Sequence, residues 1–211
     1  MNLTDMRTIL RRDLHDEDSA AYRWTDNELD RHIAHAVKDF SEHVPDEQKA
    51  TLSTTAGSRY LSLSTLTGRV MVEAVEYPVD KYPRRYQPFT VWGESLTLIG
   101  DEVPDGANAG IYYGKLHTLD ASTSTLPARL EDLVAVGAGG YAALEWALNA
   151  VNQVNAGGEA APDKFLKWGE ARLAAFRREL RRLGRRHRVR VRTLYQPQAH
   201  HVSKSTDFGP A

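Results

Sequence analysis

The 211-residue chain contains no cysteine. That absence excludes a disulfide framework, zinc-thiolate sites and thiol nucleophiles, and it suits a reducing compartment. Long apolar runs are missing as well. No segment approaches the roughly 20 consecutive apolar residues that cross a bilayer. The start MNLTDMRTILRRDL lacks the apolar stretch and small-residue cleavage site of a secretory signal. Synthesis in the cytoplasm, without membrane contact, is therefore expected. Net charge is almost absent too, at −1 from 27 Lys and Arg against 28 Asp and Glu.

That balance is uneven along the chain. Between Arg172 and Arg192 stand ten arginines and one acid, Glu179, giving +9 and leaving −10 for the remainder. A basic terminal segment on an acidic body reads as an interaction element. With 41% apolar and 9% aromatic residues, the body has enough material for an ordinary core.

Helical spacing opens the chain. Met6, Ile9 and Leu10 line one side of a short helix over about Thr4–Leu14. In RWTDNELDRHIAHAVKDF, Thr25 can cap a second helix, Glu28 can reach back to it, and Trp24 can staple onto Leu29. Leu29, Ile33, Val37 and Phe40 continue the stripe until His43, Val44 and Pro45 end it.

From Thr51 to about Leu119 the period changes to two. SRYLSLS, VMVEAVEY, YQPFTVW, SLTLIG and AGIYYGKL read as five short strands separated by Gly, Pro, Asp and Asn. Spacing this close leaves no room for crossover helices, so a small antiparallel sheet or sandwich is expected.

LPARLEDLVAVGAGGYAALEWALNAV returns to helix, with Pro127 in its first turn and small or apolar residues nearly all round. NQVNAGGEAAP reads as a linker. A last helix over about Asp163–Leu183 carries Phe165, Leu166, Leu173, Phe176, Leu180 and Leu183, and Gly184 is placed to stop it. Beyond Gly184, HRVRVRTLY alternates as a strand would, and QPQAHHVSKSTDFGPA is expected to be disordered in the isolated chain.

The result is an α+β expectation: a helical bundle from 1–48 and 123–184, a small antiparallel β insertion over 49–122, and a basic extended arm over 185–211.

Four features suggest chemistry. Gly137, Gly139 and Ala142 in VAVGAGGYAAL match a dinucleotide-binding turn, but no second parallel strand follows within reach, and the acid at suitable distance, Glu159, lies in the linker. A small-residue face for close helix packing is the better reading. His32 and His35 are three apart and His200 is beside His201, yet neither set has a completing ligand, so solvated histidines are expected and no metal. Asp16, Glu17 and Asp18 lack the alternation of a calcium loop and read as a solvated turn. No nucleophile elbow or other catalytic signature appears, and neither an enzyme nor a cofactor is expected.

The arginines remain. RRELRRLGRRHRVRVR holds nine in sixteen residues, more than solubility calls for. Arg185, Arg186, Arg188, Arg190 and Arg192 are the contact candidates, and two surfaces stay open: another protein chain, or DNA phosphates in a sequence-independent DNA-binding protein.

The order of features is more informative than any motif: a short helix, W-T-D-x-E-L opening a second, YPRRYQPF, SLTL and IYYGKL in a β segment, then LPARLEDLVAVGAGGYAALEWAL. Over about Met1–Leu183 this resembles the head-to-tail adaptors (connector, gatekeeper-type, head-completion proteins) of tailed bacteriophages. The resemblance implies copies forming a ring, usually a dodecamer, below the portal protein. It also implies a C-terminal arm docked onto the portal, an extended DNA channel, and a surface for a stopper or tail-completion protein. The implied location is the virion neck, with double-stranded DNA as a passing contact. The β segment, absent from the smallest such adaptors, and the dense terminal arginines are departures that leave ring size and arm destination open.

Overall fold

The structure, a computed structural model, describes residues 1–100, 103–151 and 161–193, without the side chains of 149–151, 161 and 189–193. Helix α1 (Leu3–Asp13) begins one residue before its expected start, because the Asn2 side chain accepts from Asp5 N and the Asp5 carboxylate accepts from Asn2 N. Helix α2 (Asp26–His43) starts as expected: the Thr25 hydroxyl accepts from Glu28 N, and the Glu28 carboxylate accepts from Thr25 N at 2.7 Å. Strands β1 (Asp46–Ser53), β2 (Tyr60–Ser62), β3 (Arg69–Glu76), β4 (Phe89–Trp92), β5 (Ser95–Leu98) and β6 (Asn108–Lys115) follow. Helices α3 (Glu131–Val151) and α4 (Ala161–Thr193) complete the described chain, which is α+β.

The strands form two three-stranded antiparallel sheets, in the orders β1-β6-β3 and β2-β5-β4. Strand β1 has no counterpart among the expected strands, since DEQKA at its start is too polar to announce one.

Two compact units divide the chain: Met1–Gln48 with Thr67–Met71 and Tyr113–Arg185, and Lys49–Leu66 with Val72–Tyr112 and the residues from Arg186 on. In the first, Met6 and Leu10 of α1, Ile33 and Phe40 of α2, Val134 and Ala138 of α3, and Leu173, Phe176 and Leu180 of α4 make one buried core. A satellite cluster gathers Trp24 and Leu29 with Ala142 and Ala143, so the staple residues are buried together.

Helix α3 runs without a break through VAVGAGGYAAL, which excludes the dinucleotide turn. Its glycines serve packing. A β-carbon on Gly137 would stand 2.7 Å from Phe176 Cε1, and one on Gly140 would stand 2.8 Å from Leu173 Cγ. Only hydrogen at those positions lets α4 approach.

In the second unit, Glu76 is 1% exposed on β3 and accepts a 2.7 Å hydrogen bond from the Tyr112 hydroxyl, with Lys49 Nζ at 3.4 Å. Burial pushes its carboxyl up, but the Tyr112 hydroxyl and the charge of Lys49 outweigh that and hold it below the ordinary value. Leu61, Leu63, Leu66, Leu96 and Leu98 are the buried leucines of β2, β5 and the turn after β2.

One expectation is overturned. The segment after Gly184 is not an extended arm as far as Thr193, because α4 continues through it. Gly184 is used for contact instead of for a stop: a β-carbon there would lie 3.3 Å from the His43 carbonyl oxygen. Arginine is a good helix former, and cations near a helix C-terminus are favoured by its dipole, so nothing in HRVRVR has to end the helix. The expected disordered tail from Gln196 on, with His200 and His201, lies outside the described residues, as do Leu194 and Tyr195 of the expected strand and Glu159 with most of the linker.

Candidate interaction surfaces

Helix α4 sorts its side chains by a 3-4 spacing. Leu173, Phe176, Leu180 and Leu183 are buried, while Arg178, Arg181, Arg185 and Arg188, offset to the opposite side, are exposed. Arg186 is exposed beside that stripe. Arg182 pairs with the single acid of the run, its Nε 2.8 Å from Glu179 Oε2. Arg185 Nε donates to the Arg181 carbonyl at 3.3 Å. Of the five candidates, Arg185, Arg186 and Arg188 thus face solvent on one helix. Arg190 and Arg192 share its backbone, and their side chains lie outside the described residues. The stripe is a row of guanidinium groups on one helix, suited to carboxylates or phosphates.

The histidine pair does not converge. His32, expected to be solvated, is buried on α2 and has Nε2 2.5 Å from Glu145 Oε2 of α3. Burial pulls its imidazole below the ordinary value, against the raising effect of Glu145. His35 stacks on Tyr141 with ring centroids 4.1 Å apart and looks toward Asp39 instead. Among the described residues no group of three or more His, Asp or Glu side chains is arranged to hold a metal, and no helix is long and apolar enough to cross a membrane.

Asp16 is another correction. It is not a solvated turn residue but 4% exposed, with Oδ2 accepting from Arg11 at 2.6 Å and Oδ1 accepting from Arg23 N at 2.7 Å. Arg11 also reaches Asp26 at 2.7 Å and the Trp24 carbonyl at 3.1 Å, so the loop between α1 and α2 is tied to a buried guanidinium. Sequence spacing gave no sign of it, because the contact closes a loop instead of a helical turn.

A groove of about 340 Å³ in the first unit is lined by Leu3, Ile33, Val37 and Leu119, with Asp30 and His117 among its polar groups. Both are committed to the fold. Asp30 is held by Arg7 at 2.5 and 2.8 Å. The His117 ring is 3.0 Å from the Val44 and Thr125 carbonyls on its two sides.

The second unit carries several exposed large side chains. Trp92 is 89% exposed, Tyr82 99% and Tyr60 66%, with Ile99, Val103 and Val91 also exposed. β-forming residues of this kind read as core in a sequence, since alternation gives two faces without saying which one meets solvent.

A family model described as SU10 adaptor protein matches residues 1–200 of the chain. No curated protein matches it.

Proposed function

The chain belongs to the SU10 adaptor protein family of phage head-tail adaptors, and from that premise we propose a ring-forming structural role in the virion neck. Copies assemble below the portal protein, lengthen the DNA exit channel and offer a docking surface to a stopper or tail-completion protein. The supporting observation is the reach of the family match, which takes in the helical bundle, both sheets and the whole of α4.

The portal contact is assigned to the end of α4, through Arg185, Arg186, Arg188, Arg190 and Arg192. The arginine stripe with Arg181 and Arg178 supports this, because it stands opposite the leucines that anchor α4 in the bundle. A row so placed can meet an acidic partner without loosening the core. Double-stranded DNA passing through the ring is the second surface it fits.

The test is co-sedimentation of the full chain with portal protein, for the natural sequence and for a variant combining Arg185→Glu, Arg186→Glu and Arg188→Glu. Portal association is expected to weaken roughly tenfold or more, about 1.4 kcal/mol. Unchanged association would remove the end of α4 from the portal interface. Binding to short duplex DNA across a salt series separates the other reading: tight binding whose logarithm falls steeply with log salt would mark a DNA grip.

A further inference from the structure

Strands β2 and β4 are the two edges of the β2-β5-β4 sheet, and both pair antiparallel with β5. They therefore run in the same direction. In an antiparallel ladder, the backbone groups of successive residues turn to alternate sides. Leu98 N donates to the Arg59 carbonyl at 2.9 Å and Leu63 N to the Glu94 carbonyl at 2.8 Å, so Arg59, Leu61 and Leu63 turn toward β5. Tyr60 and Ser62 turn to the open edge. On the other side Ile99 N donates to the Pro88 carbonyl at 2.8 Å, so Pro88, Thr90 and Trp92 turn toward β5 while Phe89 and Val91 turn outward. Pro88 therefore does not guard this edge; β3 covers its start, where Gln87 N donates to the Val75 carbonyl at 2.8 Å, and the open stretch is Phe89–Trp92.

Side chains follow the same register. Tyr60, Thr97 and Thr90 stand in one row across the sheet, and Ser62, Ser95 and Trp92 in the next. Five of these six are exposed and Thr97 is half-buried, whereas Leu61 and Leu96 on the opposite face are buried. Neither edge strand carries a charge, and neither has the Lys, bulge or proline by which open edges are ordinarily protected.

We propose that this sheet continues from one copy of the chain to the next, β4 of one pairing in parallel with β2 of its neighbour. Val91 stands beside Leu61 of the next copy. Its N–H donates to the Tyr60 carbonyl there, and its carbonyl accepts from the Ser62 N–H. Thr90 then adjoins Tyr60 and Trp92 adjoins Ser62, so Trp92 gains the neighbouring tyrosine as a diagonal cover.

The occupant is a second copy because the two edges match each other in strand direction, in which residues turn outward, in face and in neutrality. Antiparallel pairing of β4 with β2 of a second copy would set Leu61 on the face of Thr90, β2 pairing antiparallel with β2 would stop at a two-fold pair and leave both β4 edges open, and a nucleic acid would find no cation on either strand. Joining one edge to the other edge of the next copy is a head-to-tail contact, the kind that closes into rings. The inference rests on the ring reading above and gives it an interface.

The absence of cysteine makes the test direct. Within one copy, positions 60 and 90 flank Thr97 from opposite sides, two strand spacings or about 9–10 Å apart, beyond disulfide reach. Between paired copies they are about 5 Å apart and within it. The full chain with Tyr60→Cys and Thr90→Cys is bound to portal protein, mildly oxidised and separated under denaturing, non-reducing conditions. A ladder of covalent dimers, trimers and larger species is expected, with each single variant remaining monomeric. Should that pair fail to fold, Ser62→Cys with Trp92→Cys probes the same register. An oligomer on the portal that gives no ladder with either pair would overturn the continued sheet and leave the ring intact. If the natural chain forms no oligomer there, the ring reading falls and this inference with it.

Discussion

Gly140 of α3 lies so close to Leu173 of α4 that a methyl group on it would stand 2.8 Å from the Leu173 Cγ. Gly139, one residue earlier, has only ordinary contacts, the nearest being Leu10 Cδ2 at 3.5 Å. The two positions separate packing from helix propensity. Gly137→Ala and Gly140→Ala are each expected to destabilise the chain by about 1–3 kcal/mol through overpacking. Gly139→Ala is expected to be neutral or to stabilise it by up to about 1 kcal/mol. Urea unfolding of the three variants checks this, and equal effects would deny the close approach of α3 and α4.

Arg11 and Asp16 form an ion pair with side chains 9% and 2% exposed. Removing Asp16 leaves the Arg11 guanidinium with Asp26 and the Trp24 carbonyl only and takes the acceptor from Arg23 N. Asp16→Ala is expected to cost about 2–3 kcal/mol in chemical unfolding. Glu17→Ala, on a side chain 63% exposed, is expected to change stability by less than about 0.5 kcal/mol.

Acid should unfold the bundle in two steps. His32 is held below its ordinary 6.5 by burial, so the unfolded chain takes up that proton first. Its contribution is complete above about pH 6.5 and is lost as pH falls from there toward the lowered folded value. Glu145 is held below 4.5, chiefly by its hydrogen bond from Arg31 and against burial, so its contribution is lost further down, as pH falls through its own folded value. His32→Leu is expected to abolish the upper step and leave the lower. Melting temperature measured from pH 7.5 to 4 reads both, and an unchanged upper step in the variant would assign it to another group.

How much of this was legible in the sequence depends on which physical signal each element carries. The start of α2 was readable because Thr25, Glu28, Trp24 and Leu29 act on one another within five residues. The core face of α4 was readable from its Leu and Phe spacing at Leu173, Phe176, Leu180 and Leu183, whereas Leu166, expected on the same side, is exposed. Strand β1 was not, since its polar residues pair through backbone atoms that composition does not report. The helical end of α4 was misread because alternating Arg and Val over so short a window satisfies a strand period, while the preceding leucines that hold the helix set the outcome. Gly184 looked like a stop, and its role against His43 exists only in three dimensions. For the surfaces, the arginines announced themselves by charge, whereas the strand pattern assigned Tyr60, Thr90 and Trp92 to no face, and their exposure is seen only in the fold.

The most direct test of the adaptor role is electron microscopy of the purified chain mixed with portal protein. The account predicts an added ring of density coaxial with the portal channel, contacting the portal through the end of α4. Portal particles with no added density, alongside unbound chain at saturating concentration, would contradict it.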